Sequence, residues 1–129
     1  MKYLLDTSVI VDAINNKRRR RELLHNLLTA GSDLGCCTIH VIEVYSGMHS
    51  HEERITSDFL DSFEYYDVTR QIARLAGELR YAWARKGHAL SLADSAVAAV
   101  ALHHNLALIT DNRKHYPMPE IILYSLSAA

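Results

Sequence analysis

Short apolar runs alternate along this chain with longer segments in which apolar residues recur at helical spacing. The apolar runs predict five buried strands, at residues 2–5, 34–37, 65–68, 106–110 and 121–124. The periodic segments predict six helices, at residues 9–15, 17–30, 39–45, 52–63, 70–86 and 92–104. The residues predicted to cap helices are Ser8, Thr38, Thr69 and Ser91. Strands that alternate with helices predict βαβ crossovers and a mainly parallel sheet with both faces covered, which is an α/β fold.

The composition is that of one globular domain. Two separate cores in 129 residues would each be too small to bury much surface, so residues 1–129 are predicted to form a single domain. Hydrophobic residues make up 49% and charged residues 22%, which argues against a disordered or low-complexity chain. Fifteen acidic and fourteen basic residues give a formal charge of −1, which argues against a protein held to nucleic acid by bulk charge.

The cysteines and apolar runs predict a cytoplasmic protein without a membrane partner. Cys36 and Cys37 are neighbours in a predicted strand, where side chains point to opposite faces, so they are not expected to bond to each other. Neither belongs to a CxxC pair, which argues against a zinc site or a disulfide framework. The apolar start of the chain ends at Asp6, too early for a signal peptide, and the longest apolar run, residues 96–102, is far below the roughly 20 residues that span a membrane.

Two acidic residues stand at the carboxyl ends of predicted strands. Asp6 follows the first strand, and Asp111 follows Thr110 at the end of the fourth. Ligands bind beyond the carboxyl ends of parallel strands, so these carboxylates can reach one crevice if their strands are neighbours. Both residues also have structural alternatives: Asp6 can be a turn or N-cap residue, and Asp-Asn after a strand is ordinary turn chemistry.

Glu43 is the only charged residue between Asp33 and Glu52, in a segment predicted to be helical. A buried carboxylate costs several kcal/mol unless it is paired or bound to a metal. Glu43 is therefore a candidate site residue. The alternative is that it lies on the solvent face of its helix, with His40 one turn earlier.

Asp94 lies in the first turn of the predicted helix that Ser91 caps. The pattern Ser-x-x-acid is that of a capping box, in which Asp94 would only help to start the helix. The rest of this helix is rich in alanine and valine and offers no other charged face to which Asp94 could belong. A helix that is polar only at its start is suited to directing a carboxylate into a crevice.

These four acids lie in segments that follow one another in a recognisable order. Residues 4–12 resemble the opening strand of PIN-domain ribonucleases, and residues 38–47, 91–99 and 108–116 resemble the second, third and fourth acidic segments of that family. The resemblance covers essentially the whole chain, at a length typical of the VapC toxins of VapBC toxin–antitoxin modules. It implies a three-layer α/β/α sandwich and a Mg²⁺- or Mn²⁺-dependent endoribonuclease, a homodimer that a small VapB antitoxin inhibits.

The resemblance also implies roles for the acids. Asp6, Glu43 and Asp94 match the metal-site positions. Many relatives have Thr-x-Asn or Thr-x-Asp in the fourth segment, which puts Asn112 in the usual position. Asp111 then becomes an outer catalytic ligand and Asn112 a polar residue of the pocket.

Further polar residues are expected to contact the substrate. Ser8 and Thr110 match hydroxyl positions that line the family's site. Arg113 and Lys114 follow the fourth acidic segment and could contact a substrate phosphate, or they could be exposed turn residues. Family membership favours tRNA as the substrate and leaves mRNA and rRNA open.

The residues support the same chemistry independently of the resemblance. Clustered carboxylates repel one another, and a hard divalent cation relieves this repulsion while it acts as a Lewis acid. Such an ion can orient a water and neutralise charge that develops on a phosphate during in-line displacement. We hypothesise that Asp6 and Asp94 are the principal ligands, and that Glu43 binds a second ion or positions the water.

The one strong charge cluster is the run Lys-Arg-Arg-Arg-Arg at residues 17–21. It could grip an RNA backbone or an acidic stretch of an antitoxin, and phosphate contacts would make binding depend steeply on salt. The alternative is a solvated first turn of the second helix. Cations are unfavourable at the positive end of a helix dipole, which favours a binding role.

Other functions can use an α/β domain with acids at strand ends. A receiver-like phospho-signalling domain needs an Asp at the end of the third strand and a Lys after the fifth, but Asp67 lies within the third run and no lysine follows Lys114. A haloacid-dehalogenase-type phosphatase needs Asp-x-Asp where this chain has Asp-Thr-Ser. A PIN fold with weak catalysis that serves as a protein-binding partner is a further alternative, against which the retained acids argue.

Overall fold

The apolar runs form a parallel sheet of four strands in the computed structural model, which describes residues 1–126. The strands are β1 (Lys2–Leu5), β2 (Asp33–Cys37), β3 (Glu64–Tyr66) and β4 (Ala107–Ile109). Their order is β3-β2-β1-β4, so β1 is hydrogen-bonded to β2 on one side and to β4 on the other. Asp6 and Asp111 therefore do follow neighbouring strands.

Six α-helices connect the strands within residues 1–126. They are α1 (Thr7–Ile14), α2 (Arg20–Thr29), α3 (Thr38–Gly47), α4 (Glu53–Asp61), α5 (Arg70–Arg85) and α6 (Leu92–His104). Short 3₁₀ turns, Ser50–Glu52 and Arg113–His115, precede α4 and follow β4. Helices α1, α2 and α4 pack on one face of the sheet and α5 and α6 on the other, which confirms the α/β/α sandwich. None of the six helices is long and apolar enough to cross a membrane.

The alternation of side chains along each strand supplies both halves of the core. In β1, Leu4 packs with α5 and α6, whereas Tyr3 and Leu5 pack with α1 and α2. Helix α6 is buried continuously over residues 95–101, because it packs against both the sheet and α5. Its first turn, which contains Asp94, emerges from the core at the carboxyl edge of the sheet.

The start of α1 differs from the sequence prediction. The helix begins at Thr7 with Asp6 as its N-cap, because the Asp6 carboxylate accepts the Thr7 N–H at 3.0 Å. Ser8 lies inside the helix, and its hydroxyl donates to Asp111 at 3.3 Å. The prediction that Ser8 caps this helix was wrong because the carboxylate of Asp6, two residues earlier, reaches the first free N–H.

The cap of α3 lies one residue earlier than predicted. Cys37 occupies the N-cap position, and the His40 ring accepts the Cys37 N–H at 3.0 Å. The Thr38 hydroxyl accepts the Val68 N–H at 2.9 Å and so ties α3 to the segment after β3. The predicted cap was wrong because the Thr38 hydroxyl bonds to Val68 rather than to the first turn of α3.

Helices α2 and α4 are shorter than predicted. Arg18 and Arg19 adopt left-handed backbone, with φ of 54° and 56°, so α2 begins at Arg20 rather than at residue 17. At the end of α4, the Ser62 and Phe63 N–H groups bond to carbonyls three residues back, which tightens and ends the helix before residue 63.

The fifth strand, predicted at residues 121–124, is not formed. Only Leu123 makes a parallel bridge, to Leu108, and two backbone hydrogen bonds of 2.8 and 2.9 Å hold the segment beside β4. Strand β4 is three residues long, so its outer edge offers a partner for a single bridge rather than for a ladder.

Gly35 in β2 is a close-packed point of the sheet. A Cβ there would lie 2.5 Å from Tyr66 Cε2 and 3.1 Å from the Glu64 carbonyl oxygen. We expect Gly35→Ala to lower the free energy of unfolding by about 1–3 kcal/mol, because the tyrosine ring must leave its packed position. Urea denaturation monitored by circular dichroism measures this change.

Gly77→Ala in α5 is the matched control. A Cβ at Gly77 meets no atom within 4 Å beyond its own helix and chain neighbours. Alanine is the better helix former, so this variant should raise the free energy of unfolding by about 0.5–1 kcal/mol. Equal stabilities of Gly35→Ala and the parent would contradict the close packing of Tyr66 on β2.

Candidate active site

An open cleft of about 620 Å³ lies at the carboxyl edge of the sheet. Strands β1, β2 and β4 all end there, and β1 and β4 are the neighbours between which the strand order reverses. The polar residues lining the cleft include Asp6, Ser8, Glu43, Asp94, Asn112 and His115. The parallel order of the strands therefore collects side chains from α1, α3, α6 and the segment after β4.

Asp6 is a nearly buried carboxylate in this cleft, with 7% of the residue exposed. One of its oxygens accepts the Thr7 N–H at 3.0 Å and faces His40 Nε2 at 3.4 Å. The other accepts the Thr110 hydroxyl at 2.6 Å and the Tyr116 hydroxyl at 3.4 Å. Burial alone would raise the pKa of Asp6, but the facing His40 and the Thr110 hydroxyl outweigh burial and hold the pKa below its usual value. Asp6 is thus a fixed, ionised group.

His40 is fully buried and faces Asp6 from the first turn of α3. Its Nδ1 accepts the Cys37 N–H at 3.0 Å, so the ring presents Nε2–H to the Asp6 carboxylate. The alignment at 3.4 Å is too poor for a regular hydrogen bond, and Nε2 has no other partner within residues 1–126. The imidazole therefore acts on Asp6 mainly through the electrostatic field of its N–H.

Asp94 enters the cleft from the first turn of α6. The Ser91 hydroxyl accepts the Asp94 N–H at 3.0 Å, so the backbone of Asp94 takes part in the cap. Its carboxylate instead accepts the Tyr116 hydroxyl at 3.3 Å and lies 3.2 Å from His115 Nδ1. The capping role that was the structural alternative for Asp94 is therefore carried out by its backbone N–H. Its carboxylate is available to the cleft.

Tyr116 joins the two carboxylates. Its hydroxyl lies within 3.4 Å of oxygens of both Asp6 and Asp94. Burial and the two negative charges raise the pKa of Tyr116 far above its usual value, so the hydroxyl stays protonated and donates. The two carboxylates are therefore held within reach of one shared donor in the cleft.

Glu43 lines the same cleft from α3, where it is exposed. The Thr7 hydroxyl donates to its carboxylate at 2.5 Å. His40, one turn earlier, is fully buried, so the two residues do not share a solvent face. Glu43 is therefore a carboxylate at the mouth of the cleft, held by the first residue of α1.

The donor set of the cleft fits a hard divalent cation. Mg²⁺ and Mn²⁺ favour oxygen ligands, and Mg²⁺ commonly uses one or two carboxylates and keeps several waters. Asp6 and Asp94 are two such carboxylates, with Glu43 on the same wall. Within residues 1–126, no three His, Cys, Asp or Glu side chains already converge closely enough to hold an ion by themselves. Waters would have to supply the remaining ligands.

Asp111 is directed at a different set of partners. One of its oxygens pairs with Arg20 Nη2 at 2.8 Å and Arg18 Nη1 at 3.2 Å, and the other accepts the Ser8 hydroxyl. Arg20 is itself only 3% exposed. The structure therefore brings Asp6, Glu43 and Asp94 into one cleft but turns Asp111 toward the loop between α1 and α2.

The other predicted substrate contacts divide between the cleft and its surroundings. Thr110 is buried, where it donates to Asp6 and accepts the Asn112 N–H at 3.0 Å. Asn112 and Ser8 line the cleft. Arg113 is exposed outside the cleft lining, and it donates to the Tyr124 carbonyl at 3.3 Å.

Sequence reasoning missed four residues that shape the site, namely Thr7, His40, His115 and Tyr116. His115 and Tyr116 lie inside the segment that resembles the fourth acidic segment of the family. This resemblance is the only feature of the sequence that could have marked these two as site residues. His40 was considered only as a solvent-face neighbour of Glu43. Its burial depends on packing under β1, which local sequence does not encode.

Comparison with known proteins gives one consistent family. A family model described as PIN domain matches residues 3–120. Ribonuclease VapC10 from Mycobacterium tuberculosis is 30% identical over 117 residues, which cover 91% of this chain and 87% of the relative. The tRNA(fMet)-specific endonuclease VapC from Salmonella typhimurium is 25% identical over 119 residues, which cover 90% of each chain.

A solved structure supports the same assignment. A chain in the crystal structure of VapBC2 from Rickettsia felis, bound to a DNA fragment from their promoter, matches with a TM-score of 0.82 and 27% identity. The match covers 96% of this chain and 98% of that chain. The family model, the relatives and the three-layer fold agree with the four acidic segments: this chain belongs to the PIN-domain family, among the VapC ribonucleases.

Proposed function

We propose that this protein is a Mg²⁺- or Mn²⁺-dependent endoribonuclease that hydrolyses RNA phosphodiester bonds in the carboxylate cleft. The observation that carries the proposal is the meeting of Asp6 and Asp94 at the Tyr116 hydroxyl, in a cleft open to solvent. Two carboxylates that converge on one point of an open cleft form an oxygen-rich site of the kind that a hard divalent cation occupies. A site built for a cation explains why the fold retains them.

The residues of the chain divide the work between holding the ion and handling the substrate. Asp6 is preorganised by its buried hydrogen bonds, and Asp94 is directed by the cap of α6, so both can serve as principal ligands. Glu43, at the mouth of the cleft, binds a second ion or positions the attacking water. A bound Mg²⁺ or Mn²⁺ supplies Lewis acidity, which favours ionisation of water and stabilises charge developing on the phosphate.

The surrounding polar groups receive different roles in this proposal. Ser8 and Asn112 line the cleft and can hydrogen-bond to the sugar–phosphate backbone. Thr110 acts through Asp6, whose orientation it fixes. Asp111 serves as an anchor for Arg18 and Arg20 rather than as an inner ligand. The contact of Arg113 with the Tyr124 carbonyl supports a role in fixing the chain after β4.

We further propose that the protein is the toxin of a type II toxin–antitoxin pair. The similar solved structures include the VapBC2 complex and a toxin–antitoxin complex from Klebsiella pneumoniae, which support a small VapB-like antitoxin as partner. A homodimeric toxin is proposed from the family resemblance alone. The Salmonella relative, a tRNA(fMet)-specific endonuclease, supports tRNA as the substrate class. The two free, buried cysteines support a location in the reducing cytoplasm.

The Asp94→Asn variant tests the site. The amide preserves the size of the side chain and the backbone cap, but it removes a charged ligand. We expect RNA cleavage in Mg²⁺ or Mn²⁺ to fall by roughly 100-fold or more, since a bound cation contributes several kcal/mol of transition-state stabilisation. Asp58→Asn, the same chemical change on the exposed side of α4, should cleave like the parent. Equal rates for Asp94→Asn and the parent would refute the assignment.

Metal removal and Glu43→Gln test how the carboxylates share their roles. EDTA should abolish cleavage, and Mg²⁺ or Mn²⁺ should restore it.

Glu43→Gln should slow cleavage by roughly 10- to 100-fold if Glu43 positions the water, while calorimetric titration shows the first Mn²⁺ binding about as tightly as in the parent. Thr7→Val should act in the same direction but more weakly, because it only releases Glu43. Loss of Mn²⁺ affinity in Glu43→Gln as large as in Asp94→Asn would instead make Glu43 a principal ligand.

A further inference from the structure

A second pocket, of about 250 Å³, lies at the start of α2. Arg18, Arg19 and Arg20 line one side of it, and Tyr124 and Ser125 line the other. We call this cavity the arginine pocket. It is separate from the carboxylate cleft, and none of the roles proposed above uses it.

The charge around the arginine pocket is positive. The run at residues 17–21 contributes five basic side chains. Three carboxylates face them: Asp12 lies 3.8 Å from Arg18, Glu22 lies 2.7 Å from Arg19, and Asp111 pairs with Arg18 and Arg20. The three arginines that line the pocket are balanced by these three carboxylates, so the surplus of two positive charges belongs to Lys17 and Arg21, which flank the lining residues in sequence.

Arg20 is a buried cation with an unused donor. Only 3% of the residue is exposed, and its Nε has no hydrogen-bond partner within residues 1–126. Asp111 is its carboxylate partner, but Arg18 shares the same oxygen. A buried guanidinium that is only partly compensated favours a further anion nearby.

The backbone of α2 adds to the same field. Its N-cap, Arg19, has left-handed backbone and provides no side-chain cap, and the first helical N–H, that of Arg20, bonds to the Lys17 carbonyl at 3.1 Å. The positive end of the helix dipole lies at this point. Three cationic side chains at the positive end of a helix destabilise the free protein and favour binding of an anion.

The arginine pocket adjoins the carboxylate cleft. Asp111 links the two sites, because it pairs with Arg18 and Arg20 of the pocket and accepts a hydrogen bond from Ser8 of the cleft. Asp12 also lines the cleft while it faces Arg18. A strand that lies in the cleft can therefore extend directly onto the arginines.

We propose that the arginine pocket binds a backbone phosphate of the RNA strand that is cleaved in the adjoining carboxylate cleft. This inference rests on the proposed nuclease function. The pocket is of a size for one phosphate group rather than for a length of acidic peptide, and its link to the cleft through Asp111 favours the substrate over a protein partner. Arg18 and Arg19, whose side chains are 44% and 74% exposed, make the contact, while Arg20 stays in place beneath them.

The test is the salt dependence of RNA binding by the Arg18→Asn/Arg19→Asn variant. Asparagine adopts left-handed backbone readily, so the loop should keep its conformation, and thermal unfolding verifies this. Fluorescence anisotropy with a labelled oligouridylate, in EDTA, measures binding without cleavage. We expect affinity at low salt to fall roughly tenfold, and the slope of log affinity against log salt to become shallower by about 0.7, the value for one phosphate on a single strand.

Two further variants separate the pocket from general charge. Arg70→Gln/Arg74→Gln removes the same charge from α5, on the opposite face of the sheet, and should leave the slope unchanged. Arg18→Lys/Arg19→Lys keeps the charge but loses the planar fork, so it should keep the slope and bind more weakly than the parent. An equal change of slope in the α5 variant, or no change in the asparagine variant, would overturn the proposal.

An acidic peptide tests the alternative that the arginine pocket binds a protein partner instead of RNA. If a labelled oligoglutamate binds through Arg18 and Arg19 while oligouridylate binding does not depend on them, the pocket serves a protein and the proposal is wrong.

Failure of the nuclease function is visible separately: a parent that binds oligouridylate with the expected slope but cleaves no RNA in Mg²⁺ or Mn²⁺ would refute the function and leave the phosphate site standing. With active parent enzyme, the asparagine variant should raise KM more than it lowers kcat.

Discussion

The ionised Asp6 carboxylate at the end of β1 is the constraint on which the rest of the site depends. A carboxylate this deeply buried is costly unless several donors compensate for its lost water. Thr7, Thr110, His40 and Tyr116 approach it from three different parts of the chain. The start of α1, the first turn of α3 and the segment after β4 are therefore positioned by the same negative charge.

Two acids that follow neighbouring strands serve different purposes because their partners differ. Asp6 is surrounded by a backbone N–H, two hydroxyls and the facing His40 ring, and no lysine or arginine pairs with it within residues 1–126, so it keeps an attraction for cations. Asp111 has two arginines on one oxygen, and much of its charge is used within the protein. Position at a strand end selects which residues can reach the cleft, whereas the neighbouring side chains decide which of them can bind a ligand there.

Much of this arrangement can be predicted from the sequence, for identifiable reasons. Periodicity and caps locate α5 and α6, since these features are local. The acids stand out because charge is rare in buried segments. Contacts between distant parts of the chain are not encoded locally, so the burial of His40 and Arg20 and the bridging role of Tyr116 could not be read from the pattern. The segment at residues 121–124 has a strand-like sequence, but too little of β4 is available to pair with it.

The hydrogen bond from Thr110 to Asp6 joins residues 104 positions apart, and that from Tyr116 spans 110. The central strand of the sheet is the first to be synthesised, yet one of its two neighbours is β4, the last. During translation β1 must wait until residues 107–116 have been synthesised before its second edge is covered and the carboxylates acquire their shared hydroxyl. A nascent chain that has not yet reached Tyr116 consequently lacks the assembled cleft, although β1, α1 and α3 are already complete.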